Sequence, residues 1–214
     1  MKNKTTYYHI ILDRSGSMES CRKETIEGFN AQVKKISEEI KKFPEQQFLV
    51  SLTIFNSQAE HRFLDQSIES LVPLSTKTYV PDGNTALLDA VGETLTHIKV
   101  SKLQKLRENE ASAIVVVITD GFENASQEYN YAKVTKLINT LRATDNFVIS
   151  YLGASLESMQ EAEKMNILRS ERHQFSVHNV MDVFDKISTS SAVYMSSKQN
   201  NIKPDSFLNE EEDN

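Results

Sequence analysis

A chain of 214 residues is long enough for one sizeable hydrophobic core and short for two domains. With 39% hydrophobic and 25% charged residues, its composition is that of a folded globular protein rather than a disordered one. A formal charge of −6 without a long basic stripe argues against a nucleic-acid partner, and no apolar run is long enough for a signal-peptide core or a membrane span.

Tyr7 to Leu12 reads as a strand that runs directly into Asp13-Arg14-Ser15-Gly16-Ser17. Ile26, Phe29, Val33, Ile36 and Ile40 then recur at spacings of three and four, which predicts an amphipathic helix over 20–42, with Pro44 at its exit. Phe48 to Phe55 alternates as a second strand. Asn56-Ser57-Gln58 suits a hairpin loop, and the polar third strand, Glu60 to Leu64, suits a sheet edge. Residues 67–84 are irregular, punctuated by Pro73 and Pro81-Asp82-Gly83-Asn84. A helix over 85–107 carries Leu88, Val91, Leu95 and Ile98 on one stripe. The unbroken apolar run Ala113 to Ile118 predicts a central strand covered on both faces. Val134, Leu137, Ile138 and Leu141 mark another helix, followed by a strand at 147–152, a helix at 156–166, a strand at 173–177 and a helix at 180–196. No internal repeat appears. From Lys198 the periodicity stops, and five acidic residues against two lysines predict a flexible acidic tail over 198–214. The folded domain is expected over 5–197.

Strands alternating with helices predict an α/β domain: an open, mostly parallel six-stranded sheet with one antiparallel edge strand and helices on both faces. In such sheets the ligand site lies at the carboxyl ends of the strands, at the topological switch point. Asp13 follows the first strand and Asp120 the fourth, so their loops meet if those strands are neighbours.

Asp13, Ser15 and Ser17 alternate, and in an extended loop all three point to one side. Gly16 is expected to let the backbone turn there. Thr85 opens the second helical pattern, and Asp120 ends the apolar run in Thr119-Asp120-Gly121. Together these segments offer two carboxylates and three hydroxyls, a set of hard oxygen ligands suited to one small divalent cation. Two carboxylates and a divalent cation sum to about zero charge, so the ion stays electrophilic and accepts one more anion. Magnesium is the expected ion, because it prefers six ligands and readily keeps waters; manganese is a second candidate, and calcium wants more carboxylate and carbonyl oxygens.

Each of these residues also has an ordinary reading. Asp13, Ser15, Ser17 and Thr85 are all common helix N-caps, and Asp120-Gly121 is a turn signal. Asp82, Asp89, Glu19 and Glu123 lie near the ligands in sequence; solvated loop and helix-end charges are the expected reading, and support of the ligands from behind is the alternative. Cys21 is expected as a small, partly buried residue, and as the only cysteine it forms no intramolecular disulfide. His9 and His97 are expected to serve packing. The lone cysteine and the missing leader signal point to the cytoplasm.

Asp13-x-Ser15-x-Ser17, then Thr85, then Asp120 in Thr-Asp-Gly resembles the metal-ion-dependent adhesion site of the von Willebrand factor A domain family, with the element order matching over roughly 5–197. The resemblance implies that family's Rossmann-like sheet without a dinucleotide site; no Gly-x-Gly-x-x-Gly occurs here. It implies that Ser15, Ser17 and Thr85 hold the ion directly or nearly so, with Asp13 and Asp120 acting through water. It further implies that an Asp or Glu of a partner protein fills the open coordination position. Intracellular members of the family scaffold or regulate assemblies, often with ATPases or kinases. The alternative function is a metal-assisted hydrolase or phosphatase. That chemistry needs a general base or a second metal, and neither a histidine cluster nor a second carboxylate-rich site is visible in the sequence. A phosphoaspartate mechanism would want a second Asp two residues after Asp13, where Ser15 stands.

Overall fold

The computed structural model describes residues 4–176 and 179–199. Six strands form one sheet in the order β3-β2-β1-β4-β5-β6. They are β1 (Lys4–Asp13), β2 (Gln46–Phe55), β3 (Ala59–Ser67), β4 (Ala111–Thr119), β5 (Phe147–Gly153) and β6 (Arg172–Gln174). β3 runs antiparallel to β2 at one edge, and every other pair is parallel. β4 is buried at every position, as its Val- and Ile-rich run requires of a strand covered on both faces.

Five α-helices cover the sheet: α1 (Arg22–Ile40), α2 (Leu87–Arg107), α3 (Tyr131–Arg142), α4 (Leu156–Lys164) and α5 (Val180–Gln199). The alternation of β1 sorts the core. Tyr8, Ile10 and Leu12 pack with Phe29 and Ile36 of α1 and Phe184 and Ile187 of α5. Tyr7 and Ile11 face the opposite way, toward Leu88, Val91 and Leu95 of α2 and Val134 and Ile138 of α3. Neither core closes without the sheet, so the chain folds as one layered unit. Among the described residues no helix is long and apolar enough to cross a membrane.

Four expectations need correction. The first helix is preceded by a 3-10 segment, Gly16–Cys21, so Ser17 sits on a tight helical turn and not on an extended loop. The helix expected from residue 85 starts at Leu87, with Ala86 at its N-cap position making no side-chain bond, so the ordinary reading of Thr85 as a cap does not apply. β6 spans three residues and starts earlier than expected, with the Phe175 amide continuing the ladder to the Gly153 carbonyl at 3.0 Å; residue 177 lies outside the described residues. α5 runs to Gln199, past the helix end expected near 196, because its polar last turn is helix-compatible without apolar periodicity. The rest of the expected tail, 200–214, lies outside the described residues.

The histidines also gather beyond expectation. His9 of β1 is 1% exposed, and its Nε2 lies 3.9 Å from Asp65 Oδ1, too far for a hydrogen bond. The other Asp65 oxygen takes His97 Nε2 at 3.3 Å and Lys102 Nζ at 2.7 Å. Burial pushes His9 down to about 3, against the attraction of Asp65. A depressed folded value means that the unfolded chain binds the proton first. Stability from a neutral His9 is therefore complete above about 6.5 and lost as pH falls toward 3. Between pH 6.5 and 5 this one group is expected to cost about 2 kcal/mol. Urea midpoints of wild type and His9→Gln at the two pH values check it: the variant should show the shallower dependence.

Candidate metal centre

β1 and β4 are neighbours, and their carboxyl ends meet where the strand order reverses. Asp13, at the end of β1, is fully buried. Its Oδ1 accepts the Ser15 amide at 2.6 Å, its Oδ2 accepts the Thr119 hydroxyl, and its carbonyl accepts the buried Tyr79 hydroxyl at 2.6 Å. Thr119 in turn accepts the Gly121 amide at 3.1 Å. Thr119 thus fixes both the carboxylate of Asp13 and the turn that carries Asp120.

The 3-10 turn brings Ser17 to the same point. Its hydroxyl donates to Asp120 Oδ1 at 2.6 Å and lies 3.2 Å from Ser15 Oγ. Thr85 completes the group from the third segment: a Cβ built on Gly121 would come within 3.1 Å of Thr85 Oγ1 and 3.5 Å of Asp13 Oδ2. Gly121 is more tightly enclosed than Gly16. A Cβ on Gly16 would meet only the Gly83 carbonyl, at an ordinary 3.5 Å. Gly83 has the demanding backbone, with φ of +73° and a Cβ position 2.7 Å from Ser57 Oγ. Its carbonyl accepts the Gly16 amide at 3.1 Å, which ties the 81–84 turn to the Asp13 loop.

Asn124, which the sequence reading did not single out, holds the loops together with the two acids Asp89 and Glu123. Asn124 and Thr85 exchange bonds: the Thr85 amide donates to Asn124 Oδ1 at 2.8 Å, and the Asn124 amide donates to the Thr85 carbonyl at 3.1 Å. Asp89 is not a solvated helix-end charge. It is 8% exposed and accepts the amides of Gln127, Glu128 and Tyr129 at 2.8, 3.0 and 2.8 Å. Glu123 accepts the amides of Leu88, Ala125 and Ser126 at 2.8, 2.9 and 2.7 Å and the Ser126 hydroxyl at 2.7 Å. It thereby satisfies the amino end of α2, where a carboxylate is favoured. Asp82 is exposed as expected, and Glu19 pairs only with Arg22 across 3.5 Å at the surface. Cys21 is buried, and burial pushes its thiol up, the opposite of a reactive cysteine.

Ser15, Ser17, Thr85 and Asp120 line a depression of about 470 Å³ at the carboxyl end of the sheet, with Asp13 just beneath. Burial raises the Asp13 carboxyl to about 6, opposed by the bonds from Thr119 and Ser15 and reinforced by the charge of Asp120. Asp120 is raised as well, again by burial, with Ser17 opposing. Among the described residues no ion pair involves either carboxylate, and no three His, Cys, Asp or Glu side chains gather to hold a metal. The donor set is two uncompensated carboxylates and three hydroxyls, crowded around a position that a glycine leaves open. It fits a small, hard divalent cation.

A parallel sheet with an edge hairpin, helices on both faces and polar loops converging at the switch point defines a Rossmann-like α/β domain. The chain belongs to the von Willebrand factor type A domain family, whose model matches residues 9–189. No curated protein matches it. Solved structures share the fold at low identity. Proximal thread matrix protein 1 from the mussel byssus, in a form with a zinc-occupied MIDAS motif, is 14% identical with a TM-score of 0.58, covering 91% of this chain and 48% of that one. The vWF domain of the type V pili tip protein Mfa5 from Porphyromonas gingivalis is 10% identical with a TM-score of 0.63, covering 90% and 97%. Manganese-loaded TRAP from Plasmodium vivax is 14% identical with a TM-score of 0.57, covering 86% and 73%. The chain spans about half the length of the mussel protein.

Proposed function

We propose that this chain is a metal-dependent protein-interaction module whose divalent ion, held by Asp13, Ser15, Ser17, Thr85 and Asp120, is completed by an Asp or Glu side chain of a partner protein. The carrying observation is the convergence of three distant segments on one depression with two carboxylates that no cation among the described residues neutralises. A bound divalent cation there supplies a positive centre with room for one further anion. Asp13 and Asp120 supply the compensating charge. Thr119 and the Ser15 amide hold Asp13 in place, and Asn124 holds Thr85. Magnesium is the proposed resident ion, with manganese as the substitute. The role proposed is that of a cytoplasmic scaffold or regulator, in the manner of family members that work with ATPase or kinase assemblies. No catalytic step is assigned to the site.

The test is a pull-down with the full chain in magnesium and in EDTA. Partner capture is expected in magnesium, lost in EDTA and restored by manganese. Changing the partner's contacting Asp or Glu to Asn or Gln should reduce affinity at least tenfold, because a charge-assisted contact is replaced by a neutral one. Capture that is indifferent to EDTA places the interface elsewhere.

A further inference from the structure

The rim of the depression carries information that the ion site does not. Phe122 follows Asp120-Gly121 directly, lines the depression and is 53% exposed. Its neighbours Glu123 and Asn124 are committed to backbone bonds, so the loop is fixed while the phenyl ring stands free of them. The turn from β5 into α4 adds Ser155 and Glu157 to the lining of the same depression. That turn is also rigid: Ser155 caps α4 in a reciprocal bond pair with Ser158. Phe122 belongs to neither core cluster.

We propose that this rim selects partner segments in which the metal-reaching carboxylate is flanked by a large apolar side chain and not by further acids. The inference rests on the metal-dependent reading above and narrows its partner. An apolar neighbour of the partner's acid would remove the exposed face of Phe122 from water. Glu157, together with a chain charge of −6, penalises a second partner carboxylate by like-charge repulsion. The occupant is therefore an extended segment of another protein with a single Asp or Glu beside Phe, Tyr or Leu.

The experiment uses four labelled pentapeptides as probes against the full chain in excess magnesium, followed by NMR titration: Gly-Phe-Asp-Lys-Gly, Gly-Gly-Asp-Lys-Gly, Gly-Phe-Asn-Lys-Gly and Gly-Phe-Asp-Asp-Gly. Phe-Asp is expected to bind about fivefold tighter than Gly-Asp, the gain from covering about one half-exposed aromatic face. Phe122→Ala should erase that difference and leave the magnesium titration unchanged. Glu157→Gln should recover affinity for the Phe-Asp-Asp probe. Equal binding of Phe-Asp and Gly-Asp to the wild type overturns the rim assignment while the metal reading stands. If no Asp probe binds better in magnesium than in EDTA, the metal reading falls and the rim assignment with it.

Discussion

Titration of the metal-free chain with magnesium by calorimetry is expected to show about one ion per chain, and Asp13→Ala is expected to abolish that heat. Asp13 sits beneath all the other proposed ligands and receives two bonds on its carboxylate, so removing it takes away both a charge and an organiser. The Ser15 amide and the Thr119 hydroxyl are left without their acceptor at a buried site, at a cost of about 1–3 kcal/mol, which a folded domain of this size tolerates. The variant should stay cooperative in thermal unfolding yet gain nothing from added magnesium. Wild type should gain about 2.7 kcal/mol at one hundred times the dissociation constant. Equal ion binding by Asp13→Ala would sink the assignment.

Acidity adds a second reading of the same experiment. Because burial lifts Asp13 to about 6, the metal-free native state holds its proton more tightly than the unfolded chain does. This group's contribution to metal-free stability therefore falls as pH rises from about 4 to 6. An ion requires the carboxylate, so its stabilisation should grow over that same interval. Thermal scans with and without magnesium should converge at acid pH.

The second large effect is expected at Asp89, which touches none of the proposed ligands. Its carboxylate terminates three consecutive backbone amides of the 127–129 turn. Asp89→Ala strands those donors in a part-buried turn and is expected to cost about 2–4 kcal/mol, the range for losing bonds to a charged acceptor. At about 2–4 °C per kcal/mol for a domain of this length, the melting temperature should fall by roughly 4–16 °C. The exposed Asp82→Ala is the control and should stay within about 0.5 kcal/mol. A melting temperature for Asp89→Ala equal to the control's would remove Asp89 from the account of how the Asp120 loop is held.

The sheet was legible because its signals are periodic. The unbroken run at 113–118, the alternation in 48–55 and the polar strand after a three-residue loop each marked a layer or an edge, and the switch point followed from their order. The gathering of Asp13, Ser15, Ser17, Thr85 and Asp120 was legible only through the joint occurrence of three segments. What stayed hidden is the support. Asp89, Glu123 and Asn124 act on backbone amides, and such bonds leave no repeat in the sequence. Their one trace is position: Asp89 stands in the first turn of a helix, where acceptors are favoured, and Glu123 precedes Ser126 by the three residues of a side-chain-to-backbone turn. The placement of Ser17 was not legible either. Alternation in an extended loop cannot anticipate a 3-10 turn, because a short tight helix has no apolar stripe of its own. The burial of His9 beside Asp65 depended on a strand register that composition does not encode.

Ser17 and Asp120 are 103 residues apart along the chain and meet by a 2.6 Å hydrogen bond. Loop-closure entropy makes such a long-range junction one of the later things a folding chain can complete. Until β1 and β4 have paired, the β1 loop holds Asp13, Ser15 and Ser17 but lacks the second carboxylate, Asp120. An added cation should therefore act almost wholly on the escape from the native state. In stopped-flow chevrons magnesium should slow the unfolding arm and leave the refolding arm in place. The ion would then serve as a latch on a finished molecule, prolonging its lifetime without helping to build it.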